Sequence, residues 1–127
     1  MNTARNPDSI HAPAGRYVHQ IEVTSPSRLL FISGQIGRTL DGNVPEDAVE
    51  QFAVAMENVV RNLAAAGLGV DALTKVTTYV VGELDPAARR QVLDRILGPH
   101  VSCSTLVFVA ALAAPEFKVE VDAWAAV

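Results

Sequence analysis

The sequence predicts a single α+β domain in which two helices cover one face of a mixed β-sheet. A length of 127 residues allows one compact core and is short for a second domain. Segments with strand character flank two segments with helical periodicity, in the order β-β-α-β-α-β-β. Hydrophobic residues make up 50% of the chain and charged residues 19%, a balance that excludes an intrinsically disordered protein. We therefore treat residues 1–127 as one domain.

The chain begins with an irregular segment that is followed by two strands. Residues 1–13 carry Asn, Pro, Asp and Ser without a period, which predicts an irregular N-terminus. Alternation over residues 17–23 predicts a half-exposed strand, and the apolar run 28–33 predicts a strand covered on both faces. Because a turn signal at residues 25–27 separates them, we expect an antiparallel hairpin. Residues 37–40 are compatible with a further short strand.

Two segments have the periodicity of amphipathic helices. Between residues 46 and 66, apolar side chains recur at spacings of three and four, which predicts a helix of about five turns. Gly67 is its expected C-terminal cap. Residues 85–97 predict a shorter helix that starts at Asp85-Pro86 and ends at Gly98-Pro99.

Three further segments have strand character. The β-branched run 74–81 predicts a third strand, and residues 104–112 are apolar on both faces. Residues 118–126 alternate between small apolar side chains and a second set, which consists of Lys118, Glu120, Asp122 and Trp124. We expect Trp124 to fill the core rather than to line a pocket.

The apolar content exceeds what two helices can cover. Two helices protect only one face of a sheet of this size, and Phe31, Leu106 and Phe108 cannot all be buried beneath them. An uncovered apolar sheet face is typical of a subunit interface. The sequence therefore predicts a homo-oligomer assembled on that face.

Charge and cysteine content exclude several classes of protein. The net charge is −4 and the chain has two lysines, so no basic stripe is present to bind a nucleic acid backbone. One cysteine permits no internal disulfide, and no segment has the pattern of a secretory leader or the length of a membrane span. We expect a cytoplasmic protein.

Common catalytic motifs are absent from the sequence. It contains no phosphate-binding loop, GxSxG, HExxH or Cys-x-x-Cys motif. His11, His19 and His100 lack metal-ligand spacing, so we expect neither a metal ion nor an organic cofactor.

Several residues are candidates for chemistry, and each has a structural alternative. Glu120 could orient a water molecule or accept a proton, or it could belong to a solvated polar face with Asp122. Cys103 could act as a nucleophile assisted by His100, or it could be an inert buried thiol. Gly34 could let a ligand approach the backbone, or it could mark a bulge. Tyr17 could line a pocket.

These patterns together resemble the Rid (reactive intermediate deaminase) family, also called the YjgF family. The resemblance extends from Ala14 to the C-terminus. It rests on the runs LLFISGQIG, GNVP, EQFAVAMENVVRNLAAAGL, KVTTYVV and STLVFVAALAAPEFKVEVDAWA. It implies a chorismate-mutase-like fold and a homotrimer with a central barrel, whose ligand pockets lie between neighbouring subunits.

The resemblance also implies an activity and a set of site residues. Rid proteins hydrolyse reactive enamines and imines, such as 2-aminoacrylate, to a keto acid and ammonia without a cofactor. By position, Tyr17 is similar to the pocket tyrosine, Gly34 to the glycine that faces the ligand, and Glu120 to the carboxylate that positions water. Gln91 takes the place of a pocket asparagine.

One departure from the family pattern concerns the substrate. Deaminating members hold the substrate carboxylate with an arginine, where this chain has Ser104 or Thr105. Residues 101–105 contain no arginine, and no lysine substitutes for it. Losing such a pair costs about 2–4 kcal/mol of binding free energy. The sequence therefore predicts a less anionic ligand than 2-aminoacrylate, unless Arg16 or Arg38 of another subunit replaces the arginine.

Two hypotheses for function follow. The first is a Rid-like hydrolase of an imine, enamine or related metabolite, in which Glu120 orients water and backbone groups of Gly34 and of Cys103 to Thr105 polarise the substrate. The second is a non-catalytic trimer that binds a small molecule or a protein partner. The ribonuclease activity attributed to some relatives disagrees with the negative charge.

Overall fold

A computed structural model describes residues 2–127, which form six β-strands and two α-helices. In chain order these are β1 (Asn2–Arg5), β2 (Gln20–Val23), β3 (Leu29–Ile36), α1 (Ala48–Ala65), β4 (Leu73–Val80), α2 (Pro86–Leu97), β5 (Cys103–Phe108) and β6 (Val119–Ala126). A single 3₁₀ turn, Val70–Ala72, precedes β4.

The main sheet is mixed and has four strands in the order β3-β6-β4-β5. The central strand β6 is antiparallel to both β3 and β4, whereas β4 and β5 are parallel. A parallel pair needs a crossover connection, which α2 supplies. The two helices pack against each other and share one hydrophobic core with the sheet. This confirms the predicted α+β class with two helices and a mixed sheet.

The helices have the predicted positions, although α1 begins at Ala48 behind an Asp47 cap and not at the start predicted at residues 43–45. Asp47 caps α1 by accepting a hydrogen bond from Glu50 N at 3.0 Å, and Gly67 follows its end with a φ of +73°. Asp85 caps α2 in the same way through Ala88 N at 2.9 Å. Within residues 2–127, neither helix combines the length and apolar character that a bilayer-spanning helix requires.

The N-terminal segment differs from the prediction. Residues 2–5 form β1 instead of irregular chain, and β2 pairs antiparallel with β1 rather than with β3. An ion pair between Arg5 and Glu22 at 2.7 Å crosses this two-stranded sheet. Asn2 Nδ2 donates to Ala126 O at 3.0 Å, which attaches the strand pair to the end of β6. The polar residues of β1 show no strand pattern, and the strand forms because β1 pairs with β2, which lies 15 or more residues away in the sequence.

One strand end and one additional short strand were also predicted wrongly. The expected strand 104–112 ends at Phe108, beyond which β4 offers β5 no further paired residues. Residues 37–40 form no strand, since Thr39 N donates to Asn43 O at 2.9 Å and closes a turn with Gly42 at a φ of +90°.

Strand β3 is not covered on both faces as predicted. Phe31 is 62% exposed, and its ring lies edge-on against Trp124, which is 53% exposed. The expectation that Trp124 fills the core is therefore wrong for the isolated chain. Its neighbours Ala123 and Ala125 face the helices, so strand alternation turns Trp124 to the opposite side.

A buried glutamine joins three segments. Gln51 on α1 is fully buried, and its Nε2 donates to Pro45 O at 2.7 Å and to Glu116 O at 2.9 Å. Its Oε1 accepts a hydrogen bond from Lys118 N at 2.8 Å. Gly37 leaves room for this arrangement, because a Cβ there would lie 2.6 Å from Gln51 Cβ. The start of β6 is thus fixed to α1.

Candidate functional site

The candidate residues concentrate on the sheet face opposite the helices, which we call the open face. Strand alternation and pairing place side chains there in three rows across the sheet. The first row is Phe31, Trp124, Lys75 and Cys103; the second is Asp122, Thr77 and Thr105; the third is Ile36, Glu120, Tyr79 and Val107.

Glu120 and Gly34 lie in direct proximity. The register of β3 shifts between Ile32 and Gln35, so that Gly34 lies in a bulge beside β6. A Cβ built on Gly34 would come within 2.0 Å of Glu120 Oε2. The carboxylate therefore occupies the space that any other residue at position 34 would fill. Among residues 2–127, Glu120 has no side-chain hydrogen bond or ion pair, so its oxygens are available to a ligand or water.

The neighbouring acidic residue is engaged by a tyrosine. Tyr79 OH donates a hydrogen bond to Asp122 Oδ2 at 2.9 Å. This bond raises the pKa of Tyr79, with smaller contributions from burial and from the charges of Asp122 and Glu120. Asp122 thus has a structural partner, and Glu120 is the carboxylate that remains free on this face.

The first row borders an apolar cleft of about 310 Å³, which we call the hairpin cleft. Ile21 and Val23 of β2 form one wall, and Phe31, Trp124 and Cys103 of the main sheet contribute to the other side. The Cys103 thiol is partly exposed in this setting rather than fully buried.

A lysine lies beside Thr105, one of the two positions at which the sequence analysis places the family's arginine. Lys75 on β4 pairs with Cys103 of β5, and its Nζ donates to Thr105 Oγ1 at 2.5 Å. The absence of a lysine that replaces the arginine stays a prediction, while an ammonium group reaches Thr105 from the adjacent strand. The sequence could not show this, because the β4–β5 pairing joins residues 28 positions apart.

Other predicted site residues lie elsewhere in the chain. Ser104 faces the helices and lines a small cavity beneath α2, on the other side of the sheet from Cys103 and Thr105. Gln91 lies on the exposed surface of α2. Neither is brought to Glu120 within one chain.

Tyr17 lies near the start of β5. Its hydroxyl accepts a hydrogen bond from Ala14 N at 3.0 Å, and its ring packs edge-on against His19. The next residue, Val18, donates its backbone N–H to Ser102 O at 3.2 Å. Tyr17 therefore adjoins the Cys103 end of the open face and not the Glu120 end.

The two arginines considered as replacements differ in availability. The Arg16 side chain is 7% exposed and bonds to Asp94 at 2.8 Å, to His100 O at 3.0 Å and to Gly98 O. It serves to attach residue 16 to the end of α2. Arg38 is exposed and borders a separate cavity with Asn58 and Glu57.

The histidines do not form a metal site in the described chain. Within residues 2–127, no group of three or more His, Cys, Asp or Glu side chains comes close enough to hold a metal ion. His19 Nε2 lies 2.7 Å from His11 O, and His100 Nε2 lies 2.9 Å from Leu73 O. Each ring is thus linked to a backbone carbonyl.

Comparison with known proteins matches this chain to one family in sequence and in architecture. A sequence model of the endoribonuclease L-PSP family matches residues 8–127. The chain belongs to that family. TdcF of Escherichia coli K12, named as a candidate reactive intermediate deaminase, is 31% identical over 101 residues, which cover 79% of this chain and 73% of TdcF.

Solved structures extend the likeness to this family over nearly the whole chain. A Rid family protein of unknown function from Yersinia pestis, YyfB, has a TM-score of 0.86 at 26% identity and covers 99% of this chain and 98% of its own. The crystal structure of E. coli TdcF with bound serine has a TM-score of 0.69 at 28% identity, covering 98% and 95%. The resemblance to Rid proteins inferred from sequence is confirmed, and it supports a deaminase-like or small-molecule-binding role.

Proposed function

We propose that this protein hydrolyses a reactive imine or enamine at a pocket formed between subunits of a homotrimer. The observation that carries the proposal is the free Glu120 carboxylate against the Gly34 backbone on a sheet face that no helix covers. Family membership and the name of TdcF support the reaction class.

The reaction needs one base and one polarised C=N bond. Glu120 accepts a proton from a water molecule whose oxygen attacks the imine carbon, while the C=N electron pair moves to nitrogen and takes up a proton. The resulting carbinolamine then loses ammonia as the hydroxyl proton is removed and a carbonyl forms. An enamine enters this sequence after protonation at carbon. No metal or organic cofactor is required by these steps.

A single chain holds only part of such a site. Cys103 and Thr105 on β5 lie two strands away from Glu120 on β6, which corresponds to about 10 Å across the sheet. In the proposed assembly, Cys103 and Thr105 face a Glu120 of another copy, and the exposed Phe31 and Trp124 provide apolar surface for that contact.

The substrate in this proposal carries little negative charge. Thr105 offers a hydroxyl where the related enzymes have an arginine, and the Lys75 ammonium beside it makes a single point contact instead of a bidentate one. Glu120 and Asp122 on the same face add negative potential. A neutral or weakly charged imine fits this balance better than a dianion or a free imino acid.

The test measures ammonia release from imines generated in the assay by an amine oxidase or an amino-acid oxidase. Wild-type protein is expected to accelerate hydrolysis over buffer, with a higher kcat/KM for the neutral imine. Glu120→Gln is expected to lower kcat/KM by about 10²- to 10⁴-fold. Glu83→Gln, the same change in an exposed loop, serves as the matched control and should retain full activity.

Two outcomes contradict the proposal. If Glu120→Gln retains wild-type rates while sedimentation shows an unchanged assembly, Glu120 does not orient the water. If wild-type protein binds imines or keto acids without accelerating hydrolysis, the protein is a binding protein instead. A clear preference for the carboxylate-bearing imine would overturn the charge argument alone.

A further inference from the structure

A small cavity with a mixed polar and apolar lining lies on the covered side of the sheet, beneath α2, where Val76, Leu93, Leu97 and the ion-paired Arg16 border it. It has a volume of about 10 Å³, and we call it the α2 cavity. Its lining includes Thr78 of β4, Arg89 of α2 and the hydroxyl residues Ser102 and Ser104 near the start of β5. This volume suits a single water molecule or a monoatomic ion and leaves no room for a large organic anion.

The cavity collects polar atoms that have no partner in the protein. Among residues 2–127, three buried side-chain polar atoms lack a hydrogen bond, and two of them, Thr78 Oγ1 and Arg89 Nε, belong to residues that line this cavity. Thr78 is fully buried. Leaving a buried donor unpaired costs about 1–3 kcal/mol, which native structures avoid by binding water or an ion.

Arg89 also lacks a counter-charge. No carboxylate of residues 2–127 lies within 4.0 Å of its guanidinium, which stands 5.6 Å from the centre of the Phe52 ring. The nearby acidic groups of α2 are engaged, since Asp94 pairs with Arg16 and Asp85 caps Ala88 N. Burial lowers the pKa of Arg89 because the charged form is poorly solvated there.

The chemistry of the lining selects the kind of ligand. Arg89 is the fourth residue of α2, where the positive end of the helix dipole disfavours a cation and favours an anion. A guanidinium N–H and three hydroxyl groups can all act as donors toward one acceptor. We propose that the α2 cavity binds a single monoatomic anion, chloride in the cell, between Arg89 and the hydroxyls of Thr78, Ser102 and Ser104. This site is independent of the open face and of the hydrolase proposal.

Bromide is the probe for this site, because its anomalous scattering distinguishes it from water. Crystals of the full-length protein grown in sodium bromide are expected to show an anomalous peak in the α2 cavity. Water-sized density without anomalous signal in the cavity would overturn the proposal.

Thermal unfolding provides an independent readout. In sodium bromide the wild-type Tm is expected to rise by several degrees relative to sodium gluconate at equal ionic strength, because bound anion stabilises the folded state and gluconate is too large to enter. Arg89→Met and the nearly isosteric Thr78→Val should lose this difference. Arg90→Met, the neighbouring exposed arginine of α2, should keep it.

Each result of the unfolding series decides the proposal. If Arg89→Met does not fold, the comparison is made between wild type and Thr78→Val alone. Thr78→Val keeps the Arg89 guanidinium and removes only one hydroxyl group. An equal rise of Tm in wild type and Thr78→Val, or no rise in either, would show that no specific anion site exists.

Discussion

The two faces of the main sheet use the same strands for different purposes. On the covered face, Val80, Val119 and Val121 are fully buried against α1 and α2. On the open face, Phe31 and Trp124 are more than half exposed, and Glu120, which lies between Val119 and Val121, has no partner among residues 2–127. Alternation with a period of two therefore buries one set of residues in the core and leaves the next set on the uncovered face.

The comparison also separates two kinds of polar residue. On the helix side of the sheet, Gln51 of α1 is held by short hydrogen bonds to backbone atoms. Those on the open face make contacts with other side chains, as Lys75 does with Thr105 and Tyr79 with Asp122. Because the latter bonds connect partly exposed groups, a ligand can replace them at low cost in free energy.

The largest expected effect is the difference in unfolding free energy between truncating a core side chain and truncating an open-face side chain. Phe52→Ala removes a fully buried ring from the core and is expected to lower the free energy of unfolding by about 3–5 kcal/mol. Phe31→Ala, the same change on the open face, should cost about 1 kcal/mol in the dissociated chain, because most of its ring is already in solvent. Urea unfolding at low protein concentration measures both. Equal losses would contradict the distinction between the faces.

The next effect concerns assembly. Trp124→Asp places a charge beside Phe31 and is expected to shift sedimentation from the proposed trimer to monomer while circular dichroism retains the α+β spectrum. Glu116→Lys, a charge change in an exposed loop, is the control and should leave the assembly unchanged. A trimer that survives Trp124→Asp would place the subunit interface away from the open face.

The smallest effect is a pH dependence within the open face. Since the pKa of Tyr79 is raised in the folded protein, its protonated form stabilises the fold at pH below about 10, and this contribution declines as pH rises through the folded-state value. The Tm difference between wild type and Tyr79→Phe should therefore shrink from pH 9 to pH 11. Asp122→Asn removes the accepting charge and should flatten that dependence. A difference that grows with pH would reverse the assigned sign.

Sequence patterns were sufficient where neighbouring residues determine the structure. The spacing of Phe52, Met56 and Leu63 located α1, and Asp85 with Gly98 located the ends of α2. The alternation of β6 assigned Glu120 and Trp124 to one face correctly. The alternation of β6 does not show whether another element covers this face. The assignment of Trp124 to the core was therefore wrong for the isolated chain.

The rest depended on contacts between distant segments. The pairing of β1 with β2, the approach of Lys75 to Thr105 and the meeting of Thr78 with Arg89 all join residues that no local pattern relates. Ser104 was grouped with Cys103 and Thr105 because the three are adjacent in sequence. Strand geometry turns it to the opposite face.

The buried Gln51 side chain influences where Glu120 lies. The Gln51 amide forms hydrogen bonds with the backbone of the segment before α1 and of the segment before β6. Glu120 lies only two residues after Lys118, the last of these bonded residues. The position of the Glu120 carboxylate is thus fixed from the interior of the protein, by a fully buried amide on another element.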